Sequence, residues 1–529
     1  MNIPDPKIKR LLGIALLIFL LSGALLSYFT EIKLAGLWVV LIFYLLIFAI
    51  GIWFSASEST DDTEDFLLAG RELPLWIAVL TMAATWIGGG FINGTAESAA
   101  ESGLLWVQAP WGYACSLIIG GLFFARKMRR YRFRTMLDPL EQRFGDKNTG
   151  LFFIPAVLGE IFWIAAILTA LGTTFSIILD LSTEVSIIVS AFLAMIYTSL
   201  GGLKSVAYTD VIQLAMLSLG LFLILPMALS HVGGIDELWQ NYETQKGYAA
   251  SLFPNKAEMG NYFWNWWDFA LLLILGGIPW QVYFQRVLAA KNEKTAMWLS
   301  ISAGFICILI ATPAALIGMV GGITDWASLG LDGPDTAAHT LPYVFQHLSP
   351  QWMALIGLAS LAAAVMSSID SSILSASSLA AWNVYRPLFN PEVEDQQLQK
   401  LIKRLIFIIG TSATLLSLQV ESVYALWYLC SDLVYCLLFP ALVCALFDPK
   451  ANKAGALAGF IVAAVLRIGG GEAILGIPIM LPYPMIEDGV VLFPFRTTAM
   501  LAGLISILLV SRLTQKSFPS QPLQKVEEN

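Results

Sequence analysis

The sequence predicts an all-α polytopic membrane protein, and three observations carry that prediction. Of 529 residues, 57% are hydrophobic and only 13% charged, against about 25% charged in a soluble protein. Mean hydropathy is +0.73. Apolar runs of about 20 residues, the length that crosses a bilayer, recur from end to end.

The runs divide into about fourteen spans, thirteen plus an extra N-terminal one, at 11–30, 35–54, 73–93, 104–125, 150–180, 184–200, 205–230, 268–288, 297–321, 352–381, 402–418, 423–447, 454–470 and 492–513. The first follows Lys7, Lys9 and Arg10, as a signal sequence would. Its end, LLSYFTEIK, has no small-residue cleavage pattern, so a retained helix is expected. The loops leave no room for a soluble domain. The expected organisation is a tail and extra helix at 1–34, one transmembrane domain at 35–513 and a disordered tail at 514–529.

Basic residues flanking the spans orient them. The loop 126–134, RKMRRYRFR, is expected on the cytoplasmic side. Alternation then brings Arg286, Lys291, Lys294, Arg386, Lys400, Lys403, Arg404, Lys450 and Lys453 to the same side, with both termini. The opposite side receives the loop 323–350, which has no Lys or Arg, and only Lys33, Lys246, Lys256, Arg467 and Arg496. The expected location is the plasma membrane, or the inner membrane if the source is bacterial, with lipid as the surrounding partner.

Other classes are disfavoured. Net charge is −8, so no basic surface invites nucleic acid. The five cysteines (Cys115, Cys307, Cys430, Cys436 and Cys444) all sit in apolar runs and read as small packing residues. His231, His339 and His347 form no cluster, and no P-loop, HExxH or Rossmann fingerprint stands in a credible context. Neither an ATP-driven pump nor an enzyme is expected.

Thr81 to Glu97, TMAATWIGGGFINGTAE, interrupts a span with Gly88-Gly89-Gly90, Asn93, Gly94 and Glu97. Each glycine costs a helix about 1 kcal/mol relative to alanine, and irregular backbone in lipid survives only against protein or a wet cavity. Two readings stand: a helix broken at mid-depth to form a binding site, or a glycine-rich helix contact.

Ser360 to Tyr385, SLAAAVMSSIDSSILSASSLAAWNVY, is the second unusual span. A carboxylate at membrane depth costs about 2.5–3.5 kcal/mol on insertion scales, so Asp370 demands a partner. Hydroxyl, carbonyl and carboxylate oxygens suit a hard cation such as Na+. Ser367, Ser368, Asp370 and Ser371 are read as candidate ion ligands, whereas Ser375 to Ser378 read as serines that bond to the preceding turn or tighten packing. Asp210, after the turn GGLKSVAYTD, is either a cap near the cytoplasmic face or part of a second cation site.

Trp86, Trp163 and Trp280 lie inside spans, away from the interfacial belts that tryptophan favours. Trp86 precedes the glycines, Trp163 follows Glu160, and Trp280 follows Gly276-Gly277-Ile278-Pro279, a second expected helix break. With Tyr113, in QAPWGYA, these rings would suit a quaternary ammonium, which offers no hydrogen-bond donor but is attracted to aromatic faces. With 17 Trp in the chain, packing is the competing reading.

From about Gly36 to Leu513 the chain resembles the sodium/solute symporter family, specifically its high-affinity choline transporter branch. The matching runs include ATWIGGGFINGTAE, QAPWGY, GGLKSVAYTDVIQL, LLLILGGIPWQVYFQRVL, AAAVMSSIDSSILSASS and LWYLCSDLVY. The resemblance implies a LeuT-type fold of two inverted five-helix repeats. It implies Na+ held by backbone carbonyls of Ala83, Trp86 and Ala364 and by the hydroxyls of Ser367 and Ser368. A second Na+ site would map to Asp210, Ser367, Asp370 and Ser371. The choline cage would map to Trp86, Tyr113, Trp163 and Trp280, with Asp268 nearby as a ligand or a gate. Chloride dependence is implied too, but these residues place no anion site. The span 11–30 precedes the point where the branch starts, and its long acidic tail is missing, as in a bacterial or simple homologue.

The expected function is Na+-coupled import of choline or a close quaternary amine by alternating access. Betaine, carnitine, proline or a carboxylate are same-class alternatives. A carboxylate would want an arginine at the cavity, and the central spans are read as offering none. A choline sensor or channel-like protein is the rival of a different class.

Overall fold

The structure, a computed structural model, describes residues 33–55, 63–200, 203–420 and 422–526. The expected span 11–30 lies outside the described residues. Helices dominate, and the strands among the described residues are one short antiparallel hairpin, Ile486–Glu487 with Val490–Val491.

In chain order the membrane-region helices are α1 (Leu34–Ser55), the pair α2 (Leu75–Trp86) and α3 (Gly89–Glu101), α4 (Leu104–Arg130), α5 (Asp146–Leu179), α6 (Thr183–Leu200) and α7 (Leu203–His231). Then come the pair α8 (Tyr262–Gly276) and α9 (Gln281–Ala289), α10 (Glu293–Ile323), α11 (Gln351–Phe389), α12 (Asp395–Ser417), α13 (Val423–Phe447), α14 (Lys453–Gly469) and α15 (Phe495–Leu513). Among the described residues, eight spans are long and apolar enough to cross a membrane, or nine with the bent pair α2–α3. Helices also occupy the remaining expected positions as α1, α6, α12 and α14, which are shorter or less apolar. Each of the two interrupted spans opens a run of five, α2–α3 to α7 and α8–α9 to α13, the order that a LeuT-type fold requires.

The glycine stretch is both a helix break and a close helix contact. The chain bends by 49° between α2 and α3. Gly88 is extended there (φ −99°, ψ −171°), and a Cβ on it would sit 1.8 Å from Ser368 Oγ. A Cβ on Gly90 would lie 2.2 Å from the Trp427 ring. Glycine is therefore needed for close approach as much as for the break.

The second break falls where Gly276 to Pro279 predict it. Trp280 is extended (φ −112°, ψ 136°), and its indole Nε1 donates to the Gly276 carbonyl at 2.7 Å, spanning the gap.

The basic segments gather at one end of the bundle. Arg129 Nε donates to the Ala290 carbonyl at 2.6 Å, Arg130 pairs with Glu293 at 2.9 Å, and Asn148 donates to the Lys453 carbonyl at 2.8 Å. Arg286 does not join them. It is fully buried at the start of the interior, against the expectation that it flanks a span and that the central spans offer no arginine. Periodicity places it on the short helix α9, but only the fold turns it inward, because a carboxylate waits there.

Candidate functional site

Helix α11 carries a stripe of serines four residues apart, Ser367, Ser371 and Ser375, which share one helix face. Each meets a different charged partner. Ser367 Oγ donates to Asp210 Oδ1 at 2.6 Å, Arg286 Nη2 donates to Ser371 Oγ at 2.5 Å, and Ser375 Oγ donates to Glu160 Oε1 at 3.0 Å. Ser377 and Ser378 do bond to the preceding turn, at 2.7 and 2.6 Å, as expected of that stretch, so Ser375 departs from it.

Asp210 is wholly buried, which removes the reading of it as a cap near a surface. Besides Ser367 it accepts a hydrogen bond from Thr81 Oγ1 at 2.5 Å on α2, and Arg286 Nη2 lies 3.5 Å from its Oδ2. A buried arginine beside it supplies the compensating charge that a desolvated carboxylate requires. Asp370 turns to α6 instead, where Thr198 Oγ1 donates to it at 2.7 Å. Of the expected second-site residues, the fold joins Asp210 directly to Ser367, reaches Ser371 through Arg286, and gives Asp370 a separate partner.

Ser368 faces the end of α2. Its hydroxyl donates to the Thr85 carbonyl at 3.1 Å and lies 3.5 Å from that of Ala84. These carbonyls lie between the expected Ala83 and Trp86, and the Ala83 carbonyl accepts the N–H of Ile87 at 2.8 Å. Ala364 lies one turn before Ser368 on α11 and is buried. Hydroxyl and carbonyl oxygens thus converge where α2 ends, a donor set that fits a hard monovalent cation.

Directly at the break the aromatic residues form one cluster. The ring centroids of Trp86 and Tyr113 are 4.8 Å apart, those of Trp86 and Trp163 5.8 Å, and those of Trp163 and Trp280 5.2 Å. A fifth ring, Trp427 of α13, stands edge-on to Tyr113 at 5.4 Å and to Trp163 at 6.1 Å. Sequence reasoning missed it, although Trp427 also lies inside a span and meets the same criterion as the others. Tyr113 Oη hydrogen-bonds to Ser431, one turn further along α13.

Asp268 is held by the start of α15. Its Oδ1 accepts from Thr497 N at 2.7 Å and Thr497 Oγ1 at 2.6 Å, and its Oδ2 accepts from Arg496 N at 3.2 Å. It caps the N-terminus of α15, where the exposed N–H groups and the helix dipole favour a carboxylate. Arg467 and Arg496, expected near the same end, are both bound by Asp432, at 2.5 and 2.7 Å. All five cysteines are free, and no cluster of metal-ligating side chains exists among the described residues.

The model of the sodium:solute symporter family matches residues 66–463. The high-affinity choline transporter 1 of Drosophila melanogaster is 44% identical over 93% of this chain and 80% of its own length. The human protein of that name is 43% identical, over 92% of this chain and 86% of its own length. Among solved structures, a substrate-bound, outward-open Na+-coupled sialic acid symporter superposes with a TM-score of 0.75 over 93% of this chain and 99% of its own, at 20% identity. The nucleobase-cation symporter Mhp1 in a closed conformation follows at 0.56 and 12% identity, over 85% and 95%.

Proposed function

Because the chain belongs to the sodium:solute symporter family, we propose that it imports choline, or a close quaternary amine, coupled to Na+. The observation that carries the substrate is the meeting of five rings, Trp86, Tyr113, Trp163, Trp280 and Trp427, at a helix break. A trimethylammonium group is satisfied by ring faces and needs no hydrogen-bond acceptor. The rings touch one another at centroid distances of 4.8 to 6.1 Å, so admitting the ammonium means spreading them. That spreading is what ties binding to a change of conformation.

Na+ is assigned to the oxygens between the end of α2 and the hydroxyls of Ser367 and Ser368, with Asp210 as the second-site acid. An ion there bridges the broken helix and α11, which stabilises one arrangement of the two repeats. Choline then fills the cage and the bundle closes outward before opening inward. The basic end is assigned to the cytoplasm, with both termini, by the excess of Lys and Arg around α4, α10 and α14. Chloride dependence is carried over from the choline branch and needs its own anion replacement.

The test is radiolabelled choline uptake into proteoliposomes, with and without an inward Na+ gradient, competed by betaine and proline. Concentrative, Na+-dependent uptake blocked by choline alone supports the reading. Stronger competition by betaine keeps the sodium site and changes the substrate. No uptake of any amine returns the rings to packing.

A further inference from the structure

Most buried carboxylates in the bundle are fully engaged. Asp210 has Thr81, Ser367 and Arg286; Asp432 has two arginines; Asp268 caps α15; Glu97 accepts from Ser422 Oγ at 2.5 Å and Tyr424 N at 3.2 Å. Glu160, like Asp370 with Thr198, accepts from a single hydroxyl. It is only 1% exposed, its Oε1 takes the hydroxyl of Ser375, and among the described residues its Oε2 has no partner.

Glu160 also neighbours the ring cluster along the chain. It precedes Trp163 on α5 by three residues, about 4.5 Å along the axis, on the same side of the helix. A Cβ at its neighbour Gly159 would be 3.5 Å from the Trp280 ring and 2.9 Å from the Cys430 carbonyl. The stretch of α5 that packs Gly159 against Trp280 and α13 and carries Trp163 therefore also carries one incompletely satisfied buried acid.

We infer that Glu160 is the counter-charge for the substrate's ammonium group and sets the preference for a cation over a zwitterion. This rests on the reading of the ring cluster as the substrate site. A trimethylammonium cannot take up the free Oε2 as a hydrogen-bond donor, so the attraction acts through space, where low dielectric makes it long-ranged. The Ser375 hydroxyl fixes the carboxylate so that it does not swing away. A betaine brings a carboxylate of its own, which the Glu160 charge repels. Rejection of a wrong ligand by like charge is an established route to specificity.

The experiment compares choline with its neutral carbon isostere, 3,3-dimethyl-1-butanol, and with betaine, as competitors of choline uptake into proteoliposomes under an inward Na+ gradient. Glu160→Gln is expected to weaken choline on the order of tenfold, leave the isostere within twofold and improve betaine, with the Na+ half-saturation unchanged. Glu160→Asp, which withdraws the charge by one methylene, is expected to fall between and serves if the amide variant does not fold. Equal weakening of choline and isostere in either variant makes Glu160 structural and overturns the inference. A shifted Na+ curve with unchanged choline affinity assigns Glu160 to the ion and also overturns it. If the unmodified protein takes up no choline, the proposed function fails first; if it does and the choline-to-isostere ratio ignores residue 160, only this inference fails.

Discussion

Ser367 Oγ donates to Asp210 Oδ1 at 2.6 Å, joining α11 to α7 in the interior of the bundle. The same carboxylate holds Thr81 on α2 and faces Arg286 on α9. One acid thus connects four helices, two of which flank the helix breaks.

Asp210→Ala leaves Arg286 buried and unpaired, which costs about 3–5 kcal/mol. The expected outcome is a large fall in the melting temperature of the purified protein. Arg286→Met combined with Asp210→Ala removes both charges, so the double variant is expected to melt above Asp210→Ala while remaining inactive in Na+-driven uptake. Additive losses in the double variant would show that the pair is not coupled.

Gly88→Ala places a Cβ 1.8 Å from Ser368 Oγ. Ser368 cannot retreat without leaving the carbonyls of α2, so uptake is expected to be abolished with protein still reaching the membrane. Ser368→Ala, which removes only the hydroxyl, is expected to raise the Na+ concentration for half-maximal uptake several-fold. Choline affinity at saturating Na+ should hardly move.

Trp427→Ala removes one ring from the cluster. A cation–π contact contributes about 0.5–2 kcal/mol, which corresponds to a roughly two- to thirty-fold rise in the choline half-saturation constant. Trp427→Phe is expected to recover part of it. Uptake kinetics in proteoliposomes measure both, and an unchanged constant in the alanine variant would exclude Trp427 from the cage.

Glu141 lies outside the spans, in the short helix Asp138–Phe144 at the basic end. Burial, with Asp138 beside it, pushes its carboxyl from 4.5 up to about 7, despite the Asn383 amide that donates to it at 2.9 Å. The folded state therefore binds a proton between these values that the unfolded chain has released. Stability contributed by this group is greatest at the acidic end and falls as pH rises from about 4.5 through 7. Melting curves over that range should show the decline in the parent protein and a flatter dependence in Glu141→Gln.

The relation between sequence and site is instructive at single residues. Helix class, the positions of the helices among the described residues and both breaks were legible because apolar runs and Gly/Pro interruptions are local signals. Ser367 and Ser371 were legible for the same reason, as hydroxyls on one face of an apolar helix. Arg286 and Ser375 were not. Arg286 looks like a flanking cation and Ser375 like a back-bonding serine until Asp210 and Glu160 arrive from helices far away in the chain. Trp427 was hidden among 17 tryptophans, since only convergence in space separates a cage ring from a packing ring. Asp268 was expected as a ligand or a gate, and only the fold shows that its carboxylate caps the N-terminus of α15.

By itself, then, the sequence determined that this is a multi-helix membrane protein with two interrupted spans and a polar span at 352–381, because hydrophobic length and helix propensity are properties of contiguous residues. The tertiary structure alone decided which charges neutralise one another, Arg286 with Asp210 and Asp432 with Arg467 and Arg496. It alone decided that Glu160 keeps an oxygen to spare. The physical reason is that a buried charge is set by its neighbours in space, and in a bundle of interleaved repeats those neighbours come from opposite ends of the chain.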